Sequence, residues 1–269
     1  MKRRRWPLLA VLGFGYAFLY VPVLLLIVYS FNESRLVTVW SGFSVKWYGE
    51  LLANRQLLDA AWLSVRIAAV NATFAVILGT LAANALVRHG RFRGRTGFEL
   101  LLTAPLVMPD VIIGLSLLLL FVAMQQVIGW PDGRGFTTIA IAHITFSMAY
   151  VAVVVRARLA QMDRSLEEAA MDLGARPLTV YRTITLPLIA PALLSGWLLA
   201  FTLSLDDLVI ASFVSGPGST TLPMVIYASV RMGVSPQINA LATVIVALVT
   251  LAVVVAALTM RERGEKFEV

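Results

Sequence analysis

The sequence predicts an all-α membrane protein that crosses the bilayer six times, with both termini on the cytoplasmic side. Three observations carry this. Hydrophobic residues fill 59% of the 269 positions and charged residues only 14%, against about 25% charged in a soluble domain. Six apolar runs are each long enough to span a hydrocarbon core of about 30 Å. Lysine and arginine are concentrated on one side of those runs, 16 of the 22. Backbone groups inside lipid must be satisfied within helices or closed barrels, and the short alternating strands of a barrel are not present.

The first run extends from Pro7 to about Ser30, behind a basic start at Met1–Arg5. A secretory signal shares that start, but its apolar core is shorter than roughly 20 residues and a small-residue cleavage site follows it. Neither condition is met, so the run reads as a retained span. Phe31 to Asp59 is polar and aromatic, with Trp40, Trp47 and Tyr48, and reads as an external segment near the membrane interface. Asn32-Glu33-Ser34 fits a glycosylation sequon, a pattern too short to carry weight. The remaining spans are approximately Ala60–Val87, Phe98–Gln125, Thr137–Val155, Ala190–Val214 and Gln237–Met260. The expected division is therefore 1–59 for the tag, first span and external segment, and 60–260 for a five-helix core. A cytoplasmic loop at 158–189 interrupts the core, and 261–269 form a tail.

Orientation follows from the basic residues. The stretches Lys2–Arg5, Arg88–Arg95, Arg156–Arg182 and Arg261–Lys266 hold 16 of the 22. Only Arg35, Lys46, Arg55, Arg134 and Arg231 lie opposite, with Arg66 inside a span. The positive-inside rule makes the richer side cytoplasmic. The net charge of +7 then reflects topology and the anionic inner leaflet of membrane lipid, with no nucleic acid implied. Cysteine is absent, which excludes disulfides and thiolate metal sites. His89 falls in a basic loop and His143 in an apolar span. Neither has a second ligand at metal spacing, so both read as structural and no metal or catalytic centre is expected.

Between the fourth and fifth spans lies a polar island, Glu167 to Pro187. It reads as a short helix closed by a left-handed Gly174, a second helix opened by Pro177, and stops at Pro187 and Pro191. Ala169 and Ala170 leave one face nearly flat. A solvated loop needs no such construction, and a rigid knob between two spans suits a surface that another protein grips. Its candidate contact residues are Glu167, Glu168, Ala169, Ala170, Asp172 and Gly174.

Charges inside spans are the other exception. An acid at a helix centre costs about 3 kcal/mol on insertion scales. Asp110, Asp206 and Asp207 are three such acids, and Arg66 is a single base. On an unbroken third span Asp110 lies roughly 18 Å from the cytoplasmic end, and the Asp206–Asp207 pair lies ~12 Å below the outer end of the fifth. They could share one cavity, with Pro105 and Pro109 breaking the helix just before Asp110 and opening backbone carbonyls to it. Carboxylates in a membrane cavity suit a cation carrying more than one amine. Tyr150, Trp197, Phe201 and Tyr227 could add cation–π surface, although nothing in the sequence places them. The structural alternative pairs Arg66 with one acid, which still leaves a surplus of negative charge. Neighbours on a helix point about 100° apart, so Asp206 and Asp207 cannot both face one path. Ser204, one turn earlier, favours Asp207.

The knob also carries a family resemblance. Glu168-Ala169-Ala170, three residues, Gly174, nine residues, Ile184, one residue and Leu186-Pro187 resembles the EAA loop of ABC-importer permeases. Ser204–Pro223, Val230–Thr243 and the Met108–Gly114 stretch are similar to polyamine (putrescine/spermidine) importer permeases. The resemblance implies a type I importer permease (MetI-like) fold in a bacterial inner membrane, with the knob as coupling helix. It implies a second permease subunit, an ATP-binding subunit dimer that holds ATP and Mg, and a periplasmic polyamine-binding protein. It implies no cofactor on this chain.

Rival classes fit less well. An intramembrane aspartyl protease needs G-x-G-D, and Gly114 follows Asp110 instead of preceding it. A proton-coupled transporter of an organic cation could use the same acids, but has no use for the knob and shows no repeated halves here. Ser215–Ser219 alone is weak evidence for a channel filter. No G-x-x-x-x-G-K-[ST] supports ATP hydrolysis by this chain. An ABC permease for a different small substrate stays open.

Overall fold

A computed structural model describes residues 5–36, 39–90, 92–232 and 235–265, with side chains for 9–36, 39–90, 92–231 and 235–251. The basic tag at 1–4, Arg91 and the tail at 266–269 lie outside the described residues. In chain order the helices are α1 (Arg5–Ser30), α2 (Lys46–Ala53), α3 (Arg55–Arg88), α4 (Arg95–Thr103), α5 (Asp110–Ile128) and α6 (Phe136–Gln161). There follow α7 (Ser165–Asp172), α8 (Pro177–Val180), α9 (Leu186–Leu205), α10 (Val209–Val214), α11 (Leu222–Met232) and α12 (Pro236–Glu265). Among the described residues five stretches are long and apolar enough to cross a membrane, those of α1, α3, α5, α6 and the helical run Pro177–Leu205 that ends in α9, while Pro236–Leu251 of α12 is a shorter apolar stretch.

Three expected boundaries are corrected. The third span does not begin at Phe98. α4 ends at Thr103, a 3₁₀ turn occupies Ala104–Leu106, and α5 starts at Asp110 behind Pro109. Pro105 and Pro109 lack an N–H and crowd the preceding turn, and the helix breaks across this pair. The fifth span breaks as well: α9 ends at Leu205, and α10 starts afresh at Val209 after the aspartate pair. Pro187 and Pro191, expected as stops, end nothing. The chain is helical from Pro177 to Leu205 through a widened π turn at Tyr181–Thr185, which accommodates Pro187 near the start of α9.

The chain forms two compact units, Asp59–Val225 and Met1–Leu58 with Ile226–Val269. In the second of these, α12 packs against α1 and α2. Asn32, in the segment after α1, is buried and organises the loop. Its amide donates to the Val39 carbonyl at 2.7 Å and accepts from the Ser41 N–H at 3.0 Å, and the Trp47 indole donates to its carbonyl at 2.6 Å. That amide is consumed internally, so the sequon has no accessible acceptor.

In the other unit α6 is the central helix, packed by α9, α10, α5 and α4. Its neighbours approach closely because they present small residues. Ala68, Ala72, Ala75 and Ala83 of α3 are fully buried at helical spacing. A Cβ on Gly79, in the same stripe, would stand 2.9 Å from the Met148 carbonyl of α6. Gly196 of α9 meets Val151, and Gly114 of α5 meets Phe213 of α10. Between apolar helices in lipid, van der Waals contact of this kind replaces the hydrophobic effect as the force of association. Buried polar groups then staple the helices. The Asn71 amide of α3 donates to Ser147 Oγ of α6 at 3.1 Å and to the Ala200 carbonyl of α9 at 2.7 Å.

Candidate functional site

The knob is built as its sequence suggests. Asp163 accepts the Ser165 N–H at 2.9 Å and opens α7, and these bonds hold the exposed Asp163 carboxyl below its usual range. Glu167 and Glu168 lie in the first turn, where the helix dipole favours acids. At the other end the Ala175 N–H reaches the Ala170 carbonyl at 3.0 Å and the Gly174 N–H reaches Met171 at 2.9 Å. This closure needs a left-handed residue, and Gly174 has φ of +89°. Pro177 opens α8.

Exposure divides the candidate contact residues. Glu168, Ala169, Asp172 and Gly174 are exposed and Ala170 is half-buried. Around them stand apolar side chains with little cover, Leu166, Met171, Leu178 and above all Leu173, which is 90% exposed. Glu167 turns the other way. Its Oε1 accepts from Arg88 at 3.0 Å and from Thr185 Oγ1 at 2.6 Å, beside an open cleft of about 280 Å³ that Asn84, Arg164 and Tyr181 also line and whose rim Glu168 and Met171 share.

The acids are positioned by the helix breaks. Asp110 is the first residue of α5 and is exposed at its positive end. Asp206 caps the C-terminus of α9 and is exposed. Asp207 points inward, with its side chain 10% exposed. Its Oδ2 accepts the Ala211 N–H at 2.7 Å and lies 3.1 Å from His143 Nε2, while Oδ1 takes the Ile210 N–H at 3.3 Å. His143 Nδ1 is 2.7 Å from Ser204 Oγ. One tautomer satisfies all these groups: Nε2–H donates to Asp207 and Nδ1 accepts the Ser204 hydroxyl. The order resembles a hydrolytic triad, but the serine is only 6% exposed, and it meets Nδ1 while the carboxylate meets Nε2, the reverse of the triad's arrangement. These groups hold a helix break in place.

The expected partner of an aspartate, Arg66, stands elsewhere. Its guanidinium lies 5.2 Å from the Phe136 ring centre, and the ion pairs among the described residues do not include it. The His143–Asp207 contact joins positions 64 residues apart, and no spacing rule could have announced it. Of the four aromatics, Tyr150 packs edge-on to Phe146 and Trp197 stacks on Phe201, while Tyr227 lies under Arg231. Among the described residues no cluster of three metal-ligating side chains occurs.

Comparison with known proteins follows the same outline. Residues 75–262 match the family described as "Binding-protein-dependent transport system inner membrane component". The chain is 64% identical over 247 residues to the putrescine transport system permease protein PotI of Escherichia coli K12, covering 92% of this chain and 88% of that one. It is 44% identical to the spermidine/putrescine transport system permease protein PotC of the same strain, covering 92% and 91%. Among solved structures, a bacterial ABC transporter involved in import of the acidic polysaccharide alginate superposes with a TM-score of 0.71 at 17% identity, over 96% of this chain and 98% of that chain. The MetNI methionine ABC transporter gives 0.60 at 16% identity, over 74% and 92%. At such identity these two speak for the fold alone. With five membrane-length apolar stretches among the described residues, a helical knob before α9 and relatives of this closeness, the chain belongs to the binding-protein-dependent transport system inner membrane components, the multi-pass permease subunits of ABC importers.

Proposed function

We propose that this chain forms part of the translocation path for putrescine or a closely related polyamine across a bacterial inner membrane. The 64% identity to a putrescine permease over nearly the whole chain is the observation that carries the reading. The chemistry of the acids supports it. Asp110 and Asp206 are exposed on segments that interrupt the spans, and neither has a cationic partner among the described residues. A diamine brings two ammonium groups to such carboxylates, and each gains a charge-assisted hydrogen bond. Asp207 contributes by fixing the α9–α10 break that presents Asp206.

Both termini and the knob face the cytoplasm in this proposal, in keeping with the basic asymmetry of the loops. The exposed face of Glu168, Ala169, Asp172 and Leu173 docks on one subunit of an ATP-binding dimer, which holds ATP and Mg. A second permease subunit closes the path from the other side, and a periplasmic polyamine-binding protein delivers the ligand. The test is uptake of labelled putrescine, spermidine and a neutral amino acid by proteoliposomes holding the full complex, with and without the binding protein. ATP-dependent uptake restricted to the polyamines bears the proposal out, and uptake of only the amino acid sinks it.

A further inference from the structure

Glu167 is acidic, stands in the first turn of the knob beside Glu168, and yet is turned away from the exposed docking face. Its side chain and that of Arg88 are each 14% exposed. A single carboxylate oxygen holds three elements: α7 through Glu167 itself, the end of α3 through Arg88 at 3.0 Å, and the π turn leading into α9 through Thr185 at 2.6 Å. A reciprocal contact lies alongside. Arg164, just before α7, donates to the Val87 carbonyl at 2.5 Å, where the negative end of the α3 dipole favours a cation. Arginine from α3 thus reaches the knob, and arginine from the knob reaches α3.

We infer that Glu167 is the positioning residue that transmits movement of the knob into α3 and α9. This rests on the importer reading above and adds a route to it. α3 is one unbroken helix from Arg55 to Arg88. Seventeen residues before Arg88, roughly 25 Å at helical rise, the same helix carries Asn71, which staples it to α6 and α9. A displacement applied at Glu167 therefore reaches α9 twice, at its beginning through Thr185 and at Ala200 through Asn71. Without the Glu167 contacts, the covalent connection through Gln161–Arg164, the Arg164–Val87 bond and the packing of α7 on α8 and the π turn would carry the load, and a tilt of the knob would move α3 less.

The experiment uses the complete complex in proteoliposomes. A single cysteine replaces exposed Leu81 of α3 in this otherwise cysteine-free chain. Three quantities are read: subunit composition, uptake of labelled putrescine per ATP hydrolysed, and the change in Leu81→Cys alkylation rate when ATP is added. In Glu167→Ala the composition stays intact while uptake per ATP and the ATP-dependent alkylation change both fall by about 2- to 30-fold. Glu167→Gln retains an oxygen that can accept from both donors and recovers most of the effect. Arg88→Gln breaks the contact from the α3 side, reproduces the loss, and decides the matter if Glu167→Ala does not assemble. Unchanged coupling in Glu167→Ala overturns the inference. So does loss of the ATPase subunits in both Glu167→Ala and Arg88→Gln, or an alkylation rate indifferent to ATP in the chain that carries Leu81→Cys alone. Failure to take up putrescine rejects the substrate instead, and the alkylation readout still decides the role of Glu167.

Discussion

Adjacent aspartates should part company on mutation, because one is bonded into the fold and the other is not. In Asp207→Ala, α10 loses the carboxylate that accepts the Ile210 and Ala211 N–H groups, and His143 Nε2 loses its acceptor. Loss of a cap costs about 1 kcal/mol, and a buried donor left without its partner costs about 1–3 kcal/mol. The sum, about 2–4 kcal/mol, corresponds to a fall on the order of 5–15 °C in melting temperature for a unit of this size. Asp207→Asn keeps a good cap but removes the charge facing His143, so about half of that fall is expected. Asp206→Asn removes an exposed carboxylate whose oxygens make no hydrogen bond among the described residues, and should change stability by less than about 0.5 kcal/mol. Its effect falls on transport instead. Loss of one charge-assisted bond to an ammonium group, about 1.5–3 kcal/mol, predicts polyamine uptake reduced roughly tenfold or more. Thermal denaturation of the detergent-purified complex, paired with uptake in proteoliposomes, reads both effects. Asp207→Ala melting with the parent, or Asp206→Asn melting far below it, would refute the assignment of roles.

Further outcomes follow from the same geometry. Single cysteines at Ser34 and Thr220 should react with an impermeant maleimide from outside, and one at Thr179 only after the inner face is exposed; external labelling at Thr179 inverts the topology. Gly174→Val places a branched side chain at φ +89°, a strain of about 1–2 kcal/mol confined to the knob, so the protein should insert normally and lose uptake. Normal uptake by that variant would separate the knob from coupling. Gly79→Leu drives a side chain into the Met148 carbonyl and should destabilise the α3–α6 contact by about 1–3 kcal/mol, seen as a lower melting temperature. An unchanged melting temperature would show that the two helices do not pack at Gly79.

Much was decided by sequence alone, because its physics is local. Apolar length and the placement of arginine announce membrane crossings without reference to any other segment. Gly174 and Pro177 foretell a helix–turn–helix, since φ > 0 and a missing N–H are properties of single residues. Pro105 and Pro109 likewise foretold a break, although the apolar count concealed how completely it separates α4 from α5. What the sequence could not settle depends on which distant groups meet. Asp207 is capped into a helix break by His143, and Glu167 points to Arg88 while its neighbour Glu168 points outward. Arg66 settles over Phe136 although an aspartate looked the natural partner. Pro187 continues a helix because a π turn accommodates it. Periodicity assigns a face to a residue and composition assigns it a medium. The contact it finally makes is set by the packing of α3, α6 and α9, where small side chains bring backbones close enough for one carboxylate or one amide to choose its partners.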